Sequence, residues 1–176
     1  MILISNHLLK NKEIFFSKKV VVRVNIAWVE KKEQLIKILE NMDYDVFLDY
    51  PEGRTKPPSP TISYSDVVDI AKKFKRVKYL AVSNIESPNL AGLYKKSLGN
   101  RIEFVPKIET VKGAENINKI LNEINPKHIM IDTEDLFLNA QGDVALYTRL
   151  HNQIYLYCEK MDVKVLKIMG VVFGEA

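Results

Sequence analysis

The chain predicts an α/β fold, a parallel (β/α) barrel of the TIM-barrel kind, incomplete at about seven strands. Three observations carry that expectation. Apolar, β-branched runs alternate with helical patterns along almost all of the 176 residues, at a rhythm of roughly 25 residues repeated five or six times. The runs are nearly continuous in valine, isoleucine and leucine, as strands covered on both faces must be. Polar residues collect at the carboxyl ends of those runs, where ligands sit in this class of fold.

The strands are expected at residues 2–5, 20–25, 45–50, 77–82, 102–106, 128–131 and 163–169. Helical spacing lies between them. Leu35, Ile36, Ile38 and Leu39 mark one stripe, and Val67, Val68, Ile70 and Ala71 another. Ile117, Ile120, Leu121 and Ile124 make a third, and Leu146, Leu150, Ile154 and Tyr157 a fourth. Ser63 with Asp66 three residues on reads as a capping box, with Ser65 as a competing cap. Ser87 followed by Pro88 reads as an N-cap with proline at the first helical position. The proline-rich stretch RTKPPSPT (54–61) reads as a long strand-to-helix loop, because its prolines deny helix. Seven strands leave an eight-stranded barrel one short. The exposed parallel edge is expected to be covered by dimerisation or by rearrangement of the N-terminus.

Length and composition suit one domain, residues 1–176, with 47% hydrophobic and 27% charged residues. The net charge of +4 comes from scattered lysines, so no basic stripe marks a nucleic-acid partner. Cys158, the single cysteine, excludes an internal disulfide and sits among Ile154, Tyr155 and Tyr157 as a core thiol. No apolar run approaches the roughly 20 residues that span a bilayer. The start, MILISNHLL, lacks a positive n-region and a cleavage site. A cytoplasmic location follows as the expectation, with a small anionic molecule as the partner and no nucleic acid or membrane. His7, His128 and His151 have no metal-ligand spacing, and neither GxGxxG, a P-loop nor GxSxG occurs.

The polar strand ends are Arg23 and Asn25, Asp49, Ser83 and Asn84, Lys107 and Glu109, then Asp132, Glu134 and Asp135. Glu109 and Asp135 lie 26 residues apart, about one strand–helix repeat, which sets two carboxylates side by side on adjacent parallel strands. Such oxygens, completed by water and substrate, are how proteins hold Mg²⁺ or Mn²⁺. Lys107 leaves the same strand face as Glu109 and can stabilise developing negative charge. Arg23 offers a planar fork for phosphate or carboxylate. Ser83 is a further candidate for the substrate. Lys112 and Gly113 begin a helix whose N-terminus could add amide donors for an anion.

In order along the chain, VVVRVN (20–25), FLDYPEGRTK (47–56), YLAVSNIESPNLAGL (79–93), FVPKIETVKGAENINKIL (104–121) and IMIDTEDL (129–136) resemble the barrel domain of pyruvate kinase. YLYCEKMDVKVLKIM (155–169) resembles the helix and strand behind that family's metal site. The resemblance implies a (β/α)₈ barrel that moves the phosphoryl group of phosphoenolpyruvate to ADP with Mg²⁺ and a monovalent cation, K⁺. It implies that Glu109 and Asp135 hold the divalent metal, that Lys107 stabilises the transferring group and that Arg23 contacts the substrate phosphate. Asn25 and Asp49 match ligands of the monovalent ion, and Arg54 matches the arginine of the following loop. The sequence departs from that family at several places. NIAW puts Ala27 where the family has a serine ligand, Thr133 and Glu134 replace an arginine–glycine pair, and Met169 stands for a threonine. The capping domain, the eighth strand and the C-terminal domain find no counterpart.

The class II aldolase and citrate lyase β-subunit barrels are similar in the same places. They too use an arginine in a VVRV-like strand, a glutamate in an IET-like run and a later aspartate, and they bind pyruvate-type enolates on a divalent metal. Three functions are therefore expected in competition. These are pyruvate kinase-like chemistry, metal-dependent carbon–carbon lyase chemistry, and a barrel that binds without catalysing.

Overall fold

The computed structural model describes residues 1–6, 20–53, 57–169 and 172–175, with backbone alone for 168, 169 and 172–175. His7 and Arg54 lie outside the described residues. The strands are β1 (Ile2–Ser5), β2 (Val20–Asn25), β3 (Asp45–Tyr50), β4 (Val77–Val82), β5 (Glu103–Ile108), β6 (His128–Ile131), β7 (Lys164–Met169) and β8 (Val172–Glu175). The helices are α1 (Lys32–Glu40), α2 (Tyr64–Lys73), α3 (Pro88–Leu98), α4 (Val111–Glu115), α5 (Ile117–Ile124), α6 (Thr133–Asn139) and α7 (Val144–Lys160).

Strands β1 to β7 pair in sequence order, each parallel to the next. This is the topology the alternating pattern predicts, and the seven expected strands appear within two residues of their expected bounds. The expected open edge does not appear. Strand β8 runs antiparallel between β7 and β1, pairing Gly174 with Lys167 on one side and with Ile2 on the other. It closes the barrel. The chain's own C-terminal segment thus covers the edge. The argument that a second copy or the N-terminus must do so is removed.

Alternation sorts the strand residues into two cores. Leu3, Val21, Phe47, Ala81, Val105, Met130 and Leu166 meet inside the barrel. Outward-facing residues such as Val22, Val46, Leu48, Leu80 and Ile129 join the apolar stripes of the helices in the larger outer core. Below the inner layer, Glu103 and His128 pair at 2.8 Å, with the Tyr79 ring edge-on to the imidazole.

Local signals behave as chemistry requires. Ser63 caps α2 by accepting from the Asp66 amide at 3.2 Å and donates to the Asp66 carboxylate at 2.7 Å, a reciprocal cap. Ser87 caps α3 ahead of Pro88. The far end of α2 and the turn into β4 are tied together by Arg101, whose guanidinium donates to the carbonyls of Ala71, Lys72, Phe74 and Val77. Cys158 is buried in the outer core, and burial pushes its thiol up to about 12, so it is a packing group. Gly113 in α4 sits so close to the Ile85 carbonyl that an added Cβ would lie 2.6 Å from that oxygen. No helix among the described residues is long and apolar enough to cross a membrane.

Candidate functional site

All seven parallel strands point their carboxyl ends to one mouth, and the polar strand ends converge there on a cavity of about 690 Å³. Arg23, Asn25, Asp49, Ser83, Asn84, Lys107, Glu109, Asp132 and Asp135 all line it. Glu134 is exposed and is not among the lining residues, so its charge does not crowd the site. Lys107 and Glu109 leave the same face of β5 by alternation, as expected.

The deepest layer is a network of four charges. Asp49, at the end of β3, is 1% exposed. Its Oδ2 accepts from Arg23 Nε at 2.9 Å and from Arg23 Nη2. Its Oδ1 lies 3.3 Å from Lys107 Nζ, an ion pair that lacks hydrogen-bond geometry. Lys107, 7% exposed, donates to Ser83 Oγ at 3.0 Å and pairs with Glu109 Oε1 at 2.9 Å. Glu109 Oε2 accepts from the Asn84 amide at 3.1 Å. Burial pushes the Asp49 carboxyl up, but the adjacent Lys107 and Arg23 charges outweigh it and hold the group below the usual range. Burial likewise opposes the charge on Lys107. The carboxylates of Asp49 and Glu109 overcome it and raise the ammonium above its ordinary value. Lys107 is therefore a fixed cation at neutral pH.

Above this network stands an acidic triad. Glu109, Asp132 and Asp135 each offer an oxygen, and these atoms lie within 4.8 Å of one another. Glu109 and Asp135 are the pair that the repeat spacing predicts. Asp132 joins them because β6 ends one residue earlier, where Asp132 becomes the N-cap of α6 and its Oδ1 takes the Asp135 amide at 3.2 Å. That cap sets the two aspartates of one short segment toward Glu109. The signal was present in the sequence as an aspartate three residues before another at a helix start. Hard carboxylate oxygens are the donor set of Mg²⁺ or Mn²⁺. Among the described residues six carboxylates and two cationic side chains line the cavity, and one of the six, Glu86, is paired with Lys112 at 3.0 Å.

Two expectations give way here. Asp49 faces two cations, so it is no ligand for a monovalent ion, and Asn25 turns its Oδ1 to the Ala27 amide at 3.0 Å. The start of α4 is closed as well. Thr110 Oγ1 takes the Gly113 amide and Asn139 Oδ1 takes the Val111 amide, so those donors are spent within the protein. Arg23 and Ser83 line the cavity as expected, but both are engaged by neighbours that sequence spacing did not reveal, Asp49 and Lys107. Arg54 lies outside the described residues.

The described residues form a closed β/α barrel with an acidic mouth at its strand ends, where three carboxylates could hold a metal ion. No family model matches the chain, and no curated protein matches it. Solved structures do. A HpcH/HpaI aldolase/citrate lyase family protein from Burkholderia cenocepacia aligns with a TM-score of 0.64 and 8% identity, covering 82% of this chain and 69% of that one. A citrate lyase from Burkholderia xenovorans aligns at 0.67 and 10% identity, over 84% and 55%. Protein CitE from Mycobacterium tuberculosis, in complex with magnesium, acetoacetate and coenzyme A, aligns at 0.59 and 14% identity, over 84% and 56%. These likenesses establish the fold. They fall on the aldolase and citrate lyase side of the two resemblances read from the sequence, and the pyruvate kinase reading gives way to it.

Proposed function

We propose that this barrel binds Mg²⁺ or Mn²⁺ through Glu109, Asp132 and Asp135 and, beside it, a small carboxylate of the 2-oxo acid type for carbon–carbon bond cleavage or formation. The observation that carries the reading is the three-carboxylate cluster at the mouth, within 4.8 Å, with Glu109 in an ion pair of 2.9 Å with a buried lysine. A solved structure of similar fold that is in complex with magnesium supports a divalent ion in a barrel of this kind. A bound divalent ion would supply Lewis-acid polarisation of a substrate carbonyl.

The chain's own residues do the rest. Arg23, fixed in the plane set by Asp49, presents positive charge to the mouth and orients a substrate carboxylate. Lys107 balances negative charge that builds beside Glu109, as a fixed cation and not as a base. Ser83 holds the ammonium in place. Neither histidine nor cysteine lines the described cavity, so proton handling falls to carboxylates.

Calorimetry with oxalate, a stable mimic of a 2-oxo acid, tests the proposal. Oxalate should bind only when Mg²⁺ is present, and Glu109→Gln should abolish that binding while leaving the circular dichroism unchanged. Oxalate binding that ignores Mg²⁺ would overturn the metal reading. Metal-dependent oxalate binding without turnover of any 2-oxo acid aldol would leave a binding barrel in place of a lyase.

A further inference from the structure

We infer that Lys107 is an internal counter-ion competing with the divalent metal for Glu109, so that metal and anion bind cooperatively. This rests on the metal reading above. The ammonium has three protons, and three acceptors surround it: Ser83 Oγ at 3.0 Å, Glu109 Oε1 at 2.9 Å and Asp49 Oδ1 at 3.3 Å. The Asp49 contact lacks hydrogen-bond geometry, and Arg23 holds the other Asp49 oxygen. Glu109, at 2.9 Å against 3.3 Å, is the nearer of the two carboxylates that face the ammonium.

Lys107 is 7% exposed, at the floor of the cavity, and ion-paired on two sides, so it has little room to withdraw into water. A divalent ion arriving at Glu109, Asp132 and Asp135 thus meets a cation already ion-paired at 2.9 Å with one of its own ligands. Repulsion in a poorly screened site weakens metal binding. An anion that reaches both cations removes the repulsion and gives the ammonium a new partner. Each ligand then strengthens the other by the same factor, as linkage requires. Arg23 has no such effect of its own, since Asp49 already matches its charge.

The test titrates Mg²⁺ into the wild type, Lys107→Met and Lys107→Gln, with and without saturating oxalate, by calorimetry and by the Mg²⁺-induced rise in Tm. The thermal readout serves a variant too unstable for calorimetry, and Lys107→Gln keeps a hydrogen-bonding group without the charge. In the wild type, oxalate should tighten Mg²⁺ binding about tenfold or more, within the usual range of site-to-site coupling. In both variants Mg²⁺ alone should bind about tenfold tighter than in the wild type, and the tightening that oxalate adds should be about tenfold smaller than in the wild type. Unchanged or weaker Mg²⁺ binding in both variants overturns the inference while leaving the metal site standing. No Mg²⁺ binding to any of the three proteins overturns both readings.

Discussion

The two ends of the barrel interior are built from the same alternating positions of the same strands, yet they solve the problem of buried charge differently. At the lower end one carboxylate meets one imidazole, Glu103 with His128, under the edge of Tyr79. At the mouth, among the described residues, six carboxylates and two cations line an open cavity, with Lys112 paired to one of the six from outside it. Seven apolar side chains separate the two layers. A matched pair closes a structure; an unmatched surplus of carboxylate awaits a cation. The contrast marks the upper end as the candidate site without reference to any relative.

The separating layer is the most sensitive place to break this comparison. Phe47 is fully buried at its centre, and Phe47→Ala should cost about 3–5 kcal/mol of unfolding free energy by removing transfer energy and leaving a void. Urea denaturation would measure it. A cost below about 1 kcal/mol would show that the two layers are not held apart by packing. At the mouth, Lys107→Met in metal-free buffer should cost about 3 kcal/mol, since Asp49 and Glu109 lose their shared cation in a buried site.

A third substitution asks how tightly the mouth's rear wall is built. Gly113→Ala would press a methyl group against the Ile85 carbonyl, with an expected loss of about 1–3 kcal/mol. At the lower end, Glu103→Gln should cost at most about 1 kcal/mol, because the pair is partly solvated. It should leave Mg²⁺ binding untouched. A change in Mg²⁺ affinity there would defeat the claim that the ends are independent.

Acid and alkali should distinguish the charges in the upper layer. The Asp49 carboxyl is held below its ordinary value of 3.8, so its contribution is present above that pH. It is lost as pH falls through the lower folded-state value. Lys107 is raised above 10.5, so its contribution is present below that pH and fades as pH rises through the higher folded-state value. Stability should therefore be level across neutral pH for this cluster. In Lys107→Met the alkaline loss should shrink, as urea midpoints followed upward from pH 10.5 would show.

The seven parallel strands were legible because strands covered on both faces must be apolar throughout, and such runs are hard to disguise. Strand β8 was not. Four residues containing Gly174 carry no pattern of their own, and their pairing exists only once β7 and β1 stand beside the gap. Within the site, Lys107 and Glu109 were legible from strict alternation, and Asp135 from the repeat length. Asp132 was visible as a polar strand end, but its place in the triad depends on where β6 stops and α6 starts. The partnership of Arg23 with Asp49 was hidden for a different reason. Two neighbouring strands reveal their register only in three dimensions, and an arginine that looks aimed at substrate can be aimed first at an aspartate.

The reversed direction of β8 has a consequence for how the molecule could be rewired. Its return path sets Gly174 beside Ile2, at the end of the barrel away from the cavity. A short peptide joining these ends would leave every strand in place, so the chain could be reopened at an outer helix-to-strand turn such as the one between Lys73 and Val77. Such a circularly permuted protein should keep its ligands while beginning and ending elsewhere.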